Sequence, residues 1–211
     1  MSLLLDPYKS SSFIGHSLWF VPCGDSKIAY DSLIADASKN LETFRFIPHI
    51  TLVAALLEGS ETDVCVRTKK LASTLAPFTF EFDQLSHGDA YFKCVYAQMK
   101  RTETVVAANA LARQFFPERS SDPEYIPHMS LVYGDFDDKI KQHHIIPTLE
   151  NSMMEDQDDG VRNNSKGIAA AIASIQVDAI EVWSTEGDVK EWYKVETVPL
   201  TGVSSNNFKL I

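Results

Sequence analysis

The heptapeptide Ile47-Pro-His-Ile-Thr-Leu-Val53 returns 79 positions later as Ile126-Pro-His-Met-Ser-Leu-Val132, with five of seven residues identical. The two exchanges, Ile for Met and Thr for Ser, keep the chemistry of each position. Two copies of this quality point to a duplicated unit. Each copy also follows an apolar pattern of helical period, Ile28, Leu33, Ile34, Ala37 and Leu41 before the first, and Val105, Val106, Leu111, Phe115 and Phe116 before the second. Helix followed by histidine strand thus occurs twice, and the two copies could pair about a pseudo-twofold axis.

Alternation and turn residues predict strands over 17–22, 48–55, 78–85, 91–99, 127–134, 175–183 and 191–198. Helices are expected over 26–41, 61–75, 102–116 and 137–149. Residues 1–15 read as an N-terminal extension, and the polar, turn-rich stretch 152–167 as an exposed loop. The whole of 1–211 is expected to form a single bilobal domain.

In a strand, successive side chains alternate faces, so His49 and Thr51 point one way and Ile50 the other. His128 and Ser130 flank Met129 in the same manner. Opposed across a cleft, the two faces would hold two imidazoles and two hydroxyls. One neutral imidazole can take a proton from water while the other, protonated, gives one to a leaving alkoxide. Hydroxyls can donate to the non-bridging oxygens of a phosphodiester as charge builds there. A single His-x-Thr in a strand is usually structural; the duplication is what makes these two chemical. Pro48 and Pro127 restrain the entry of each strand.

The other histidines carry less. His16 precedes a strand, His87 lies in a turn, and His143 and His144 diverge by about 100° on a helix, a poor chelating pair. Cys23, Cys65 and Cys94 are odd in number and lack CxxC spacing, which argues against zinc and for reduced thiols, with a single disulfide as the alternative. Tyr133 would reach the His128 face if the strand bulges after Val132, and is otherwise core. Trp183, Trp192 and Tyr91 are candidates for stacking on a base, with core packing as the alternative.

The balance of 19 Lys and Arg against 29 Asp and Glu gives a net charge of -10. Binding a long nucleic acid usually requires a basic stripe to neutralise phosphates, so a nucleotide substrate should be small. No apolar run reaches the roughly 18 residues of a membrane span.

With both tripeptides and the duplication in view, the chain resembles the two-histidine (2H) phosphoesterase superfamily. Within it, the likeness is to the cyclic nucleotide phosphodiesterases of fungi and plants, through Ser17-Leu-Trp-Phe-Val-Pro22, Tyr91-Phe-Lys93 and Glu191-Trp192. It runs from about residue 16 to 199. The resemblance implies an α+β, bilobal, pseudo-twofold fold, with two antiparallel sheets facing a central cleft and helices outside. It implies hydrolysis of nucleoside 2′,3′-cyclic phosphates to 2′-phosphates, and of ADP-ribose 1″,2″-cyclic phosphate, a by-product of transfer RNA splicing. His49 and His128 are then catalytic, Thr51 and Ser130 phosphate-binding, and Tyr133 and Trp192 substrate-binding, with no metal and no cofactor. A small cyclic nucleotide is the implied partner, with no long nucleic acid and no membrane span, for a monomeric cytoplasmic protein compatible with peripheral Golgi association. The competing readings are an RNA-end processing phosphoesterase or ligase, which would need a basic groove, and a non-catalytic nucleotide-binding module, which would not need two titratable groups.

Overall fold

A computed structural model describes residues 14–154 and 167–203. In chain order its elements are β1 (His16–Phe20), α1 (Gly24–Leu41), β2 (Ile50–Leu56), α2 (Glu61–Ala72), β3 (Phe78–His87), β4 (Val95–Met99), α3 (Glu103–Phe115), β5 (His128–Val132), α4 (Asp138–Ile140), α5 (Ile146–Met154), α6 (Ile168–Ala173), β6 (Ser174–Val177), β7 (Ala179–Ser184) and β8 (Tyr193–Pro199). A π-helical turn, Lys141–Ile145, joins α4 to α5. The helices begin where side chains can satisfy their free N–H groups: Ser60 and Asp63 form a reciprocal capping box on α2, and the Thr102 hydroxyl accepts from Val105 N on α3.

The strands lie side by side in the order β6-β3-β4-β5-β2-β1-β7-β8, and every neighbouring pair is antiparallel. Two four-stranded halves meet where β5 faces β2, through the pair Ile50↔Met129. One half holds β1, β2, β7 and β8; the other holds β3 to β6. The helices cross the junction, α1 packing on β5 and α3 on β2. Because so few ladder bonds join β2 to β5, the β2 carbonyls find other donors: Asn109 Nδ2 of α3 gives 2.7 Å to Leu52 O, and Tyr125 OH gives 2.9 Å to Thr51 O.

Ile50, Leu52, Met129 and Leu131 are buried on the far side of these two strands. Each contributes about 1.5–3 kcal/mol through burial. A slip of one residue would turn all four outward and both histidines inward, so the apolar alternation fixes which way the imidazoles face. Near the end of β2, Ala55 takes φ 53, and Val53 and Leu56 pair with Leu18 and His16, one residue too many on β2. That bulge bends the strand after its functional portion.

Several sequence expectations need correction. The stretch 175–183 is two strands, because the chain passes at Asp178 from β6, paired with β3, to β7, paired with β1 and β8. Asp178 O accepts from Leu200 N at 2.7 Å, which pins the crossing point. The strand expected over 91–99 starts at Val95, since Tyr91–Lys93 forms a 3₁₀ turn. Trp192 falls between a 3₁₀ turn, Val189–Glu191, and β8. The short apolar α6 was not expected. Of the loop expected over 152–167, Ser152 to Met154 continue α5 and Gly167 caps α6. Residues 155–166, with the acidic cluster, lie outside the described residues, as do 1–13 of the expected N-terminal extension. Cys23, Cys65 and Cys94 are free thiols.

Candidate active site

His49 immediately precedes β2 and His128 opens β5. Counting outward from Ile50↔Met129 sets His49 beside Ser130, and Thr51 beside His128. Each hydroxyl therefore neighbours the imidazole of the other half, on the face opposite the buried Ile50 and Met129.

The neighbouring strands supply one aromatic ring to each imidazole. Trp19 on β1 pairs with Thr51, and Tyr96 on β4 pairs with Ser130. Residues opposite one another in a ladder share a face, so each ring reaches the histidine two residues along. Trp19 stacks on His49 with centroids 3.6 Å apart at 12°, and Tyr96 meets His128 at 5.0 Å and 60°. The repeat thus covers a strand pair, with an aromatic on one strand and histidine and hydroxyl on the next.

The backbone fixes the tautomers. His49 Nδ1 lies 2.6 Å from Ile47 O and His128 Nδ1 lies 2.8 Å from Ile126 O. A carbonyl can only accept, so each Nδ1 carries the proton and each Nε2 is left for chemistry. The intervening prolines produce this geometry: Pro holds the residue before it extended, which turns the Ile carbonyl toward the ring.

Burial lowers the pKa of both imidazoles from the ordinary 6.5 to about 4. For His49 the bond to Ile47 O opposes this and the nearby His128 adds to it; for His128 the bond to Ile126 O opposes it and Lys93 adds to it. The sign for stability follows. Between pH 6.5 and about 4 the unfolded chain binds protons that the folded one refuses, so stability is complete above 6.5 and falls as pH drops toward 4. Each unit of depression is worth about 1.4 kcal/mol. Urea unfolding at pH 7, 5.5 and 4.5 should therefore register a loss that His49→Gln reduces. A flat profile in the wild type would contradict the buried, neutral pair.

The hydroxyls are not equivalent. Ser130 is buried, and its Oγ donates 2.8 Å to Phe92 O, so its proton is committed to the backbone. Thr51 is half-buried, and its hydroxyl makes no hydrogen bond among the described residues. A ligand oxygen could therefore accept a hydrogen bond from Thr51 directly, whereas Ser130 must first turn away from Phe92.

Beside His49 opens a cavity of about 400 Å³ whose walls include Trp19, Trp183, Trp192 and Phe46. Lys27, Asp31 and Arg45 also line it, with Arg45 paired to Asp31 at 3.1 Å. Thr51, His128 and Ser130 are not among its walls. Trp192 lines it, 5.9 Å from Trp19 and 5.5 Å from Phe92. Tyr133 does not line the cavity. At 2% exposure it stacks on Phe46 at 3.6 Å, with burial driving its pKa upward, and Phe46 in turn meets His49 edge-on at 6.4 Å. β5 ends at Val132, and Tyr133 sits in the core alternative that regular alternation predicted, as a prop behind Phe46.

Sequence reasoning missed Trp19, Phe46, Tyr96 and Lys93 at the site. Trp19 and Tyr96 precede their histidines by 30 and 32 positions, a similarity that could have revealed them as part of the repeat. His16 and His87 lie instead 3.7 Å from Glu61 and 3.6 Å from Asp138, while His143 and His144 are exposed. Among the described residues, no group of three or more His, Cys, Asp or Glu side chains is placed to hold a metal ion.

Two antiparallel halves, each bringing a strand-borne histidine and hydroxyl to their junction, define a 2H phosphoesterase. A family model described as cyclic phosphodiesterase-like protein matches residues 14–200, and the chain belongs to that family. A relative, the cyclic phosphodiesterase of Arabidopsis thaliana, is 25% identical over 173 residues, covering 81% of this chain and 91% of its own. Among solved structures, E. coli LigT in apo form aligns with a TM-score of 0.55 at 13% identity, covering 90% of this chain and 99% of that one. TT0787 of Thermus thermophilus aligns with a TM-score of 0.54 at 15% identity, covering 88% and 98%. The chain is thus a phosphodiesterase of the cyclic phosphate-hydrolysing type. No helix among the described residues is long and apolar enough to cross a membrane.

Proposed function

We propose that the chain, working as one bilobal domain, hydrolyses nucleoside 2′,3′-cyclic phosphates to 2′-phosphates and accepts ADP-ribose 1″,2″-cyclic phosphate, giving ADP-ribose 1″-phosphate. The observation that carries this reading is the pair of imidazoles, each donating Nδ1–H to its own backbone carbonyl and so keeping Nε2 for the substrate. His128 Nε2 takes a proton from water as its oxygen attacks phosphorus. The P–O3′ bond breaks, and O3′ receives the proton carried by Nε2 of a protonated His49. The phosphate stays on O2′, and exchange with solvent resets both rings.

Charge favours this division of roles. Burial opposes protonation of both rings; at His128 the fixed charge of Lys93 adds to it, which suits a base. At His49 the added opposition comes from His128 rather than from a lysine, and it is absent while His128 is neutral, which suits an acid. The indoles of Trp183 and Trp192 offer the base of the nucleotide a stacking wall.

The test is a product assay on 2′,3′-cyclic AMP with EDTA present, alongside a ten-nucleotide RNA ending in a cyclic phosphate. We expect 2′-AMP, undiminished by the chelator, and a higher kcat/KM for the mononucleotide, because a net charge of -10 disfavours the polyanion. Formation of 3′-AMP, or preference for the RNA, would defeat the proposal.

A further inference from the structure

Lys93 stands beside His128, and the mechanism gives it no task. Lys93 closes the 3₁₀ turn Tyr91–Lys93, directly after Phe92, whose carbonyl anchors the Ser130 hydroxyl at 2.8 Å. The Lys93 ammonium lies 5.0 Å from the centroid of Tyr96, the ring that also meets His128 at 5.0 Å. Tyr96 pairs with Ser130 across the β4–β5 ladder, so phenol ring, imidazole and hydroxyl share one face, and the ammonium lies against that ring.

Four other lysines are matched by acids: Lys69 by Glu196, Lys100 by Glu81, Lys141 by Asp138 and Lys194 by Glu181. No carboxylate pairs with Lys93 among the described residues. A half-buried ammonium left without an anion is costly beside an imidazole that could itself become positive. A bound anion removes that cost. The stem is held in place, since Cγ and Cδ pack against Gly88, where an added Cβ would meet the Lys93 carbonyl oxygen at 2.9 Å.

Resting on the two-histidine reading above, we infer that Lys93 is a phosphate-binding residue, its ammonium meeting a non-bridging oxygen of the substrate on the Ser130 and His128 side. The negative charge that gathers on those oxygens as water adds would then be shared between Lys93 and the Thr51 hydroxyl. This also explains how the site works with the Ser130 proton directed to Phe92: the ammonium supplies the donor there, and Ser130 acts by fixing the turn that carries Lys93. A point charge suits the task, since an ammonium has three donors and no required plane.

The test compares wild type with Lys93→Gln, Lys93→Met and Lys93→Arg. Inorganic phosphate is titrated while the His49 and His128 ring signals are followed by NMR, and 2′,3′-cyclic AMP hydrolysis is measured in parallel. We expect phosphate to bind about tenfold or more weakly to the Gln and Met variants, as for loss of a charged hydrogen bond, and Arg to restore most of it. We also expect the His128 pKa to rise in the Gln and Met variants, as it must when a neighbouring cation is removed. Met keeps the apolar stem, so a merely structural role would leave both readings unchanged.

Phosphate affinity within twofold of wild type in both neutral variants overturns the assignment, even if cyclic AMP is hydrolysed normally. If wild type hydrolyses no cyclic phosphate but phosphate binding falls as expected, the assignment stands and the reading of the reaction fails. Absence of phosphate binding to wild type overturns the assignment as well.

Discussion

Alanine at either His49 or His128 is expected to lower kcat by about 10²- to 10⁴-fold, the usual size of a general acid or base contribution. The two act as one unit across the junction, so the double variant should lose far less than the product of the single losses. The roles can be separated. A substrate with an activated leaving group needs little protonation, so it should rescue His49→Ala and leave His128→Ala slow. The reverse pattern would exchange the roles, and near-normal rates in both single variants would remove the pair from the mechanism. The pH profile adds a check. With both free rings depressed to about 4, the limb of kcat/KM assigned to the acid should move to lower pH than an exposed histidine would give, because kcat/KM reports the free enzyme.

Trp19→Ala should be the most damaging change outside the histidines, costing about 3–5 kcal/mol of stability by the usual measure for removing a buried tryptophan. Trp19 is 3% exposed, stacked on His49 at 3.6 Å and on Trp183 at 4.7 Å. Its removal would also let water reach His49 and raise that pKa from about 4 toward 6.5. Trp19→Phe keeps a ring face against the imidazole and should retain most of the depression. Denaturant unfolding gives the first quantity and NMR titration of His49 the second. A stability change below about 1 kcal/mol, on the same scale of core truncations, or an unmoved His49 pKa in the alanine variant, would refute this account of the stack.

The helices α1, α2 and α3 and both histidine strands were legible because their signals are local. Apolar period and capping residues such as Ser60 and Thr102 are written in consecutive positions. The duplication made His49 and His128 stand out, and the alternation of Ile50 and Met129 gave their facing. What was not legible depends on register between distant segments. Trp19 reaches His49 only because β1 pairs with β2 in a particular alignment. The break at Asp178 exists because β6 and β7 serve different halves. The Ser130 hydroxyl is claimed by a carbonyl 38 positions away, something no strand pattern encodes. Tyr133 shows the limit from the other side: alternation left a core place and a place at the site both open, and the stack on Phe46 that holds its ring depends on a segment 87 positions away.

The strand order has a consequence for the time course of assembly. The half bearing His128 is drawn from one continuous run, β3 through β6, or Phe78 to Val177. The half bearing His49 joins the two ends of the chain: Ser17 Oγ meets Thr185 Oγ1 across 168 positions. Contacts that distant form late, because a long loop must close before any of them is rewarded. On a ribosome, β1 waits with one edge bare until β7 emerges. The chain can thus complete the Tyr96 and His128 face while Trp19 still lacks Trp183 behind it. On that order the His128 face is built first, and the His49 face is completed only when the last strands arrive.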